Sequence, residues 1–224
     1  MRAAVCLLAA PLLIGCGDVL YDQNQRALIL DPVERVAFDV DIGSVEVYAF
    51  DRTAISLLFY LRGAESQIDD IGWDLEEDQV HAFIGCKTLE DQRSCIADFY
   101  CEVPLGTAVV SHTTRGDLKL TGVDAPVEAT VAGNVDGFDL RAPTLDLDVT
   151  GGDVTLTLLD PPQSVRIALD AGIVDITLPA GPYRCDLDAQ DGEVNMTGVL
   201  CDDAAGSSLE ISVGSGDINL QVAS

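Results

Sequence analysis

Residues 144–180 read TLDLDVTGGDVTLTLLDPPQSVRIALDAGIVDITLPA, and this stretch decides the fold. Around Gly152 and again around Gly172, apolar residues stand at positions −7, −5 and −3 before the glycine and at +2, +4 and +6 after it. Apolar residues at every second position are typical of strands that bury one face, because successive side chains point to opposite sides. The stretch therefore predicts a strand, a glycine corner and a second strand, twice in succession.

The same template recurs over most of the chain. A degenerate copy surrounds Gly133, and six segments fit well; their central glycines are Gly43, Gly116, Gly152, Gly172, Gly192 and Gly216. The last four of these glycines are 20, 20 and 24 residues apart, a spacing typical of solenoid repeats. The prediction is an all-β fold, a β-solenoid or β-roll of strand–glycine–strand units of about 20 residues. The alternative is a β-sandwich meander, in which each unit is a hairpin with a longer loop.

Each glycine is expected to mark a bend. The step of five residues from −3 to +2 would place those two side chains on opposite faces of a straight strand, and glycine supplies the backbone freedom of a tight corner. The next residue is acidic in four of the six segments, as Asp117, Asp153, Glu193 and Asp217. Carboxylates accept backbone N–H hydrogen bonds in turns, so these side chains are predicted to stabilise the corners.

The region from Thr53 to Cys101 is less regular. Its alternation predicts strands over residues 53–61 and 79–84, whereas residues 65–78 and 87–94 read as polar excursions. We expect the region to complete the N-terminal end of the same sheets, because the end of a solenoid must cover its open edges. A separate small domain is the alternative to a single all-β domain over residues 33–222.

The first residues predict export. Residues 1–15 combine Arg2 with an uncharged apolar run, which is typical of a signal peptide and too short to span a bilayer. The segment 13–16, Leu-Ile-Gly-Cys, resembles the lipobox of bacterial lipoproteins, which implies that Cys16 is acylated and becomes the first residue. Residues 16–32 are then the lipid-attachment cysteine and a linker, and the acyl chains bind the membrane. Gly17 favours the outer membrane by the same resemblance; an ordinary signal peptide is the alternative.

Composition restricts the function. The 38 Asp and Glu against 12 Lys and Arg give a net charge of −26, which excludes nucleic acid as a partner. Ser111 and His112 are neighbours on a strand and point to opposite faces, so they do not form a nucleophile–base pair. Few lysines and aromatic residues argue against a sugar-binding cleft. We predict no catalytic residue, no metal and no cofactor; Ca²⁺ at the acidic corners is the weaker alternative.

The cysteines predict disulfides, since an exported protein meets an oxidising compartment. Cys185 and Cys201 are 16 residues apart, and a bridge between them would stabilise the fold by about 3 kcal/mol in the chain-entropy account. Cys86 is expected to pair with Cys95 or, alternatively, with Cys101, which leaves one thiol free. Their spacings do not fit a zinc knuckle.

The corner motifs resemble a known bacterial domain family. The matching segments are Ser44–Val47, Glu102–Pro104, Thr114–Leu120, Thr150–Val154 and Ser215–Ile218. Together they are similar to the bacterial "putative adhesin" domain of otherwise unknown function, over roughly residues 33–222. The resemblance implies an exported all-β repeat protein of the kind described as an adhesin. Together with the lipobox, it predicts a non-enzymatic, lipid-anchored envelope protein that acts as an adhesin or surface interaction module toward an extracellular protein or polymer. The alternative is a periplasm-facing structural or scaffold lipoprotein that binds an envelope component.

Overall fold

Two large β-sheets make up the fold. The computed structural model describes residues 20–30, 33–64, 68–76, 78–87 and 95–223, and within these residues all regular structure is β-strand. In these described ranges, twenty strands form two ten-stranded sheets, A and B. The all-β prediction is confirmed. Among the described residues, no helix has the length and apolar character needed to cross a membrane.

Both sheets run the length of the molecule. Sheet A contains, in spatial order, β1 (Leu20–Ile29), β4 (Ile55–Ala64), β7 (Cys95–Pro104), β3 (Val45–Phe50), β9 (Leu118–Thr121), β11 (Val135–Leu140), β13 (Val154–Leu158), β15 (Val174–Leu178), β20 (Ile218–Val222) and β17 (Val194–Thr197). Sheet B contains β18 (Leu200–Cys201), β16 (Pro182–Asp191), β19 (Ser207–Ser215), β14 (Ser164–Ala171), β12 (Thr144–Gly151), β10 (Val127–Ala132), β8 (Ala108–Thr113), β2 (Arg35–Val40), β6 (Gln79–Cys86) and β5 (Ile68–Glu76).

The two strands of one sequence unit lie in different sheets. The strand before a glycine corner belongs to sheet B and the strand after it to sheet A, and each pairs in parallel with the equivalent strand of the unit that lies beside it in space. Leu147 thus aligns with Ile167 in sheet B, and Leu156 with Ile176 in sheet A. Two packed sheets agree with both architectures that the sequence left open, the β-roll and the β-sandwich.

The core lies between the sheets. The template positions on the inner faces hold mainly Val, Leu and Ile, and they form one continuous buried cluster from β1 to β20. At the N-terminal end the core is aromatic: the Phe99 ring lies 6.0 Å from Phe38 and 5.7 Å from Phe59. Burying one such side chain stabilises the fold by about 2 kcal/mol, so regular alternation along two sheets suffices to hold them together.

The irregular N-terminal region extends the same sheets. Strands β1 and β4 pair antiparallel at one edge of sheet A, and β5 pairs antiparallel with β6 at the edge of sheet B. The prediction that residues 65–78 form a polar loop is wrong for the larger part of that segment, because residues 68–76 form β5. Its acidic residues mask an alternation of Ile71, Trp73 and Leu75. The predicted linker 16–32 likewise contains a strand, β1.

Two disulfides join cysteines in the part of the chain that the structure describes. Cys185 joins Cys201, the predicted pair, and Cys86 joins Cys95, the first of the two alternatives. Cys101 is a buried free thiol, and burial raises its pKa to about 12. The predicted signal peptide 1–15, Cys16, residues 88–94 and part of the predicted linker lie outside the described residues.

Candidate functional site

The glycine corners stack into a column. A methyl group on Gly172 would overlap the carbonyl oxygen of Gly152, and a methyl on Gly216 would overlap that of Gly172. Neighbouring backbones thus approach too closely for any side chain. Gly172 also has a φ of 142°, which L-residues rarely adopt. The column continues through all seven template glycines: Gly43, Gly116, Gly133, Gly152, Gly172, Gly216 and Gly192.

Beside this column runs a ladder of side-chain to backbone hydrogen bonds. Asp117 accepts the Asn134 N–H at 2.7 Å, Asn134 accepts the Asp153 N–H at 2.9 Å, and Asp153 accepts the Ile173 N–H at 2.9 Å. Each corner residue therefore holds the backbone of the next unit. The apolar side chain of Ile173 offers no acceptor to the following unit, so the ladder breaks there.

The ladder resumes at the last unit, where Asp217 accepts the Glu193 N–H at 2.9 Å. The prediction that corner carboxylates accept backbone N–H bonds is confirmed for Asp117, Asp153 and Asp217. In the described ranges no group of three or more His, Cys, Asp or Glu side chains is arranged to hold a metal ion. Ser111 is buried and within 3.2 Å of the Thr113 hydroxyl, whereas His112 is exposed on the opposite face.

The outer face of sheet A carries an aromatic patch, which we define as Tyr48, Phe50, Tyr60 and Tyr100. Tyr48 and Phe50 project from β3, Tyr60 from β4 and Tyr100 from β7. The Tyr48 and Tyr100 rings lie 4.8 Å apart, and the Phe50 ring is nearly parallel to Tyr48 at 6.4 Å. Phe50 is 46% exposed and Tyr60 is 42% exposed. Contiguous exposed aromatic surface of this kind is characteristic of binding sites.

Carboxylates restrain the two central phenols. The Tyr48 hydroxyl donates to Glu46 Oε2 at 2.7 Å, and that hydrogen bond is the main reason that the pKa of Tyr48 is raised. Tyr100 donates to Glu102 at 3.5 Å, and its pKa is raised mainly by desolvation and then by the charge of Glu102. Both phenols are therefore protonated at neutral pH, and the 2.7 Å hydrogen bond to Glu46 fixes the direction of the Tyr48 hydroxyl.

Cations neutralise the carboxylates around the patch. Lys119 Nζ lies 4.0 Å from Glu46 and 5.9 Å from the centre of the Tyr48 ring, and the pKa of Lys119 is raised by its hydrogen bond to Tyr48. Arg52 is paired with Glu102, and Arg62 lies 3.2 Å from Asp98. A cavity of about 280 Å³ opens beside these groups; its lining residues are Ser44, Glu46, Tyr60, Asp98, Phe99 and Tyr100.

Toward the C-terminal end the outer face of sheet A becomes an amide and hydroxyl ladder. Its residues occupy two aligned rows: Thr155, Asp175, Asn219 and Asn195 in one, and Thr157, Thr177, Gln221 and Thr197 in the other. Asn219 bridges the first row, donating to Asp175 at 2.7 Å and accepting from Asn195 at 3.1 Å. Gln221 donates to Thr177 at 3.0 Å in the second row. Seven of the eight side chains are uncharged.

The outer face of sheet B differs in charge. Its central row aligns five exposed charged residues, Glu128, Asp146, Arg166, Glu210 and Asp186. Arg166 donates to Asp146 at 2.6 Å, and this hydrogen bond is the main cause of its raised pKa. Sheet B therefore presents solvated ionic groups, whereas sheet A presents rings, hydroxyls and amides.

Sequence reasoning missed the aromatic patch. The chain has only 6 Phe, 5 Tyr and 1 Trp, and this scarcity argued against a sugar-binding surface. The scarcity hid a local concentration, because three strands that are far apart in the sequence place four of the rings on one face. The available signal was Tyr48 and Phe50 at outward positions of a strand whose inward residues are apolar.

Comparison with known proteins gives a likeness of fold. No family model matches the chain, and no curated protein matches its sequence. The crystal structure of a "putative cell adhesion protein" from Clostridium sporogenes is similar with a TM-score of 0.54 and 12% identity, over 91% of this chain and 100% of that one. A "putative adhesin" from Parabacteroides merdae has a TM-score of 0.49 at 15% identity, covering 92% and 82%. One from Bacteroides fragilis has 0.47 at 12%, covering 90% and 97%. At these identities the Clostridium structure establishes a shared fold only.

Proposed function

We propose that this chain is a non-enzymatic interaction module of the bacterial cell envelope, held by acyl chains on Cys16 in the outer membrane. The observation that carries the proposal is the outer face of sheet A, where an exposed aromatic patch continues into a ladder of amides and hydroxyls. Such a broad face suits contact with a large partner, whereas a catalytic site requires an enclosed cluster of reactive groups.

The scaffold that we propose is a two-sheet β-solenoid. Support comes from the strand order, since each unit from β8 to β17 contributes one strand to each sheet and neighbouring units pair in parallel. Stacked units keep one template position in one row, which is how a short repeat builds a long, even face. The "putative cell adhesion protein" from Clostridium sporogenes, which shares the fold, is consistent with a surface role for such a face.

Lipid attachment would leave the module tethered and otherwise exposed. Each acyl CH₂ buried in the bilayer contributes about 0.8 kcal/mol, so several chains anchor the protein essentially permanently. The strong negative charge keeps the exported domain soluble and away from anionic surfaces. The partner that fits these properties is an extracellular protein or polymer.

Protease treatment of intact cells tests this proposal. The bacterium that expresses the protein would be treated with a non-permeating protease, and the mature protein followed by immunoblot. We expect digestion on intact cells, and release of a Cys16→Ser variant from the membrane fraction. Lysed cells provide the control that the folded protein is cleavable. Protection until lysis would overturn the surface role and support a periplasm-facing scaffold.

A further inference from the structure

The outer face of sheet A combines three properties that point to one class of ligand: an aromatic patch, paired charges, and two rows of hydrogen-bonding groups in which only Asp175 is charged. We propose that this face binds a neutral polysaccharide, with sugar rings packed on Tyr48 and Tyr100 and the chain continuing along the amide and hydroxyl ladder. The proposal rests on the proposed function, since it names the polymer to which the interaction module binds.

The rings are prepared for stacking. The Tyr48 and Tyr100 centroids are 4.8 Å apart, and their hydroxyls are directed by Glu46 and Glu102. A sugar ring has an apolar C–H face and a rim of hydroxyl groups, so a tyrosine ring covers the face while neighbouring carboxylates accept hydrogen bonds from the rim. Restrained side chains lose little entropy on binding, which favours affinity on an open surface.

Charge selects a neutral polymer. The cations around the patch are already paired, since Lys119 lies near Glu46, Arg52 is paired with Glu102, and Arg62 lies near Asp98. An anionic polymer would have to displace these carboxylates and approach a protein with a net charge of −26. A polymer of uncharged hydroxyl groups meets neither obstacle.

The dimensions favour a chain over a single sugar. From β3 to β17 the face crosses six strand intervals, about 29 Å at the usual strand spacing. Over the last three intervals, from β13 to β17, Thr, Asn and Gln side chains provide both donors and acceptors, as hydroxyl groups require. Between them and the aromatic patch, the outward positions of β9 and β11 hold Lys119, Thr121, Asp136 and Phe138. Five of the eight residues exchange hydrogen bonds at 2.7 to 3.1 Å, namely Asp175, Asn219 and Asn195 in one row and Thr177 and Gln221 in the other, which holds these side chains in place.

Affinity electrophoresis of the purified full-length mature protein tests the proposal. The protein would be kept in a detergent without a sugar headgroup and run through native gels that contain dextran, β-glucan, mannan or xylan, with polygalacturonate as the anionic comparison. We expect retardation by at least one neutral polymer and none by polygalacturonate. Tyr48→Ala and Tyr100→Ala should each weaken the retarding interaction about tenfold, because each removes one stacking surface.

Two matched variants separate stacking from folding. Tyr48→Phe keeps the ring, so we expect it to retain most of the affinity, and Trp73→Ala removes a side chain that is 40% exposed on β5 of sheet B, so it should bind as wild type. Thermal melts of all variants verify that they fold. Absence of retardation by every neutral polymer, preference for polygalacturonate, or an equal loss in Trp73→Ala would overturn the proposal.

The two proposals fail separately. Surface exposure in the protease assay without retardation in these gels would remove the polysaccharide ligand and leave a surface module for a protein partner. Retardation that depends on Tyr48 and Tyr100 in a protein protected from protease would keep the polysaccharide site and place it on a periplasmic polymer.

Discussion

Two units with one sequence template, β14–β15 and β16–β17, differ in burial. In the first unit, Val174 is 0% exposed and Ile176 is 1% exposed. In the second, the equivalent Val194 and Met196 are 38% and 49% exposed. The reason is position, because β15 lies between β13 and β20, whereas β17 is the last strand of sheet A.

This difference in burial shows that the apolar pattern of a strand and the packing around that strand are separate factors. Alternation determines which face of a strand is apolar, but a neighbour on each side determines whether that face is buried. The unit β16–β17 is terminal because the chain returns and inserts β19 and β20 between it and β14–β15. The four predictions below compare interior positions with the terminal unit, from the largest expected change in unfolding free energy to the smallest.

The corner glycines should show the largest difference. In Gly172→Ala the methyl overlaps the carbonyl oxygen of Gly152 at a positive φ, with a unit on either side, so we expect a loss of about 4 kcal/mol or more. In Gly192→Ala the methyl overlaps the Gly216 carbonyl, but no further glycine corner stacks beyond Gly192, and the short strand β18 pairs only with the far end of β16, so the corner can shift. We expect about half the loss, measured by urea unfolding.

Gly181→Ala is the matched control for the corner variants. A methyl there has no atom within 4 Å, so the unfolding free energy should stay within about 0.5 kcal/mol of wild type. Equal losses at Gly172 and Gly192 would show that the terminal unit is as tightly held as the interior ones.

Truncation of inward-facing side chains of sheet A should give the second-largest difference in unfolding free energy. Ile176→Ala removes three carbons from a fully packed site and should cost about 3 kcal/mol through lost burial and a residual cavity. Met196→Ala truncates a side chain that is half exposed, and we expect less than about 1 kcal/mol. Both values come from chemical denaturation at one protein concentration, and a cost for Met196 near that for Ile176 would contradict the proposed role of position.

The same comparison explains what the sequence could predict. Strands and corners were predictable around Gly152 and Gly172, because alternation and a glycine bend are local properties. The spatial order of the units was not predictable. The units β19–β20 and β16–β17 follow the same template, so either of them fits beside β14–β15. Pairing a unit with one 44 residues away costs slightly more loop entropy than pairing it with one 20 residues away, and the sequence does not display which packing is better.

The candidate site was less predictable than the fold. Tyr48, Tyr60 and Tyr100 belong to strands β3, β4 and β7, and only the pairing of those strands brings the rings together. The edge strand β5 was missed because Asp70 and Asp74 on its outer face resemble a polar loop. Features that depend on which strands are neighbours require tertiary structure.

The free thiol of Cys101 provides a pH test of an interior position. Burial raises its pKa from 9.0 to about 12, so the folded state retains the proton after the unfolded state has lost it. This contribution is fully present below pH 9 and is lost as the pH rises toward 12, with about 1.4 kcal/mol gone at pH 10. Urea unfolding at pH 8 and pH 10 measures it.

A Cys101→Ala variant isolates the thiol from other groups that titrate in the same range. Its stability should fall less between pH 8 and pH 10 than that of wild type. Beside the terminal unit, Cys201 of β18 is exposed and should react with a thiol reagent promptly after reduction, whereas Cys101 should react only on unfolding. Rapid labelling of Cys101 in the folded protein would contradict its burial.

The corner carboxylates should give the smallest and most local effect. Asp153→Ala leaves the Ile173 N–H without its acceptor, and since the site is solvent-exposed water replaces the lost bond, so we expect a cost of about 1 kcal/mol. Asp217→Ala frees the Glu193 N–H in the terminal unit, where the loss should appear as faster amide exchange in β17 with little change in global unfolding. Asp188→Ala, on the outer face of sheet B, is the matched control and should alter neither. Exchange in β17 that is unchanged in Asp217→Ala would mean that backbone pairing to β20 alone holds the last strand, and that the carboxylate ladder contributes only where units are stacked on both sides.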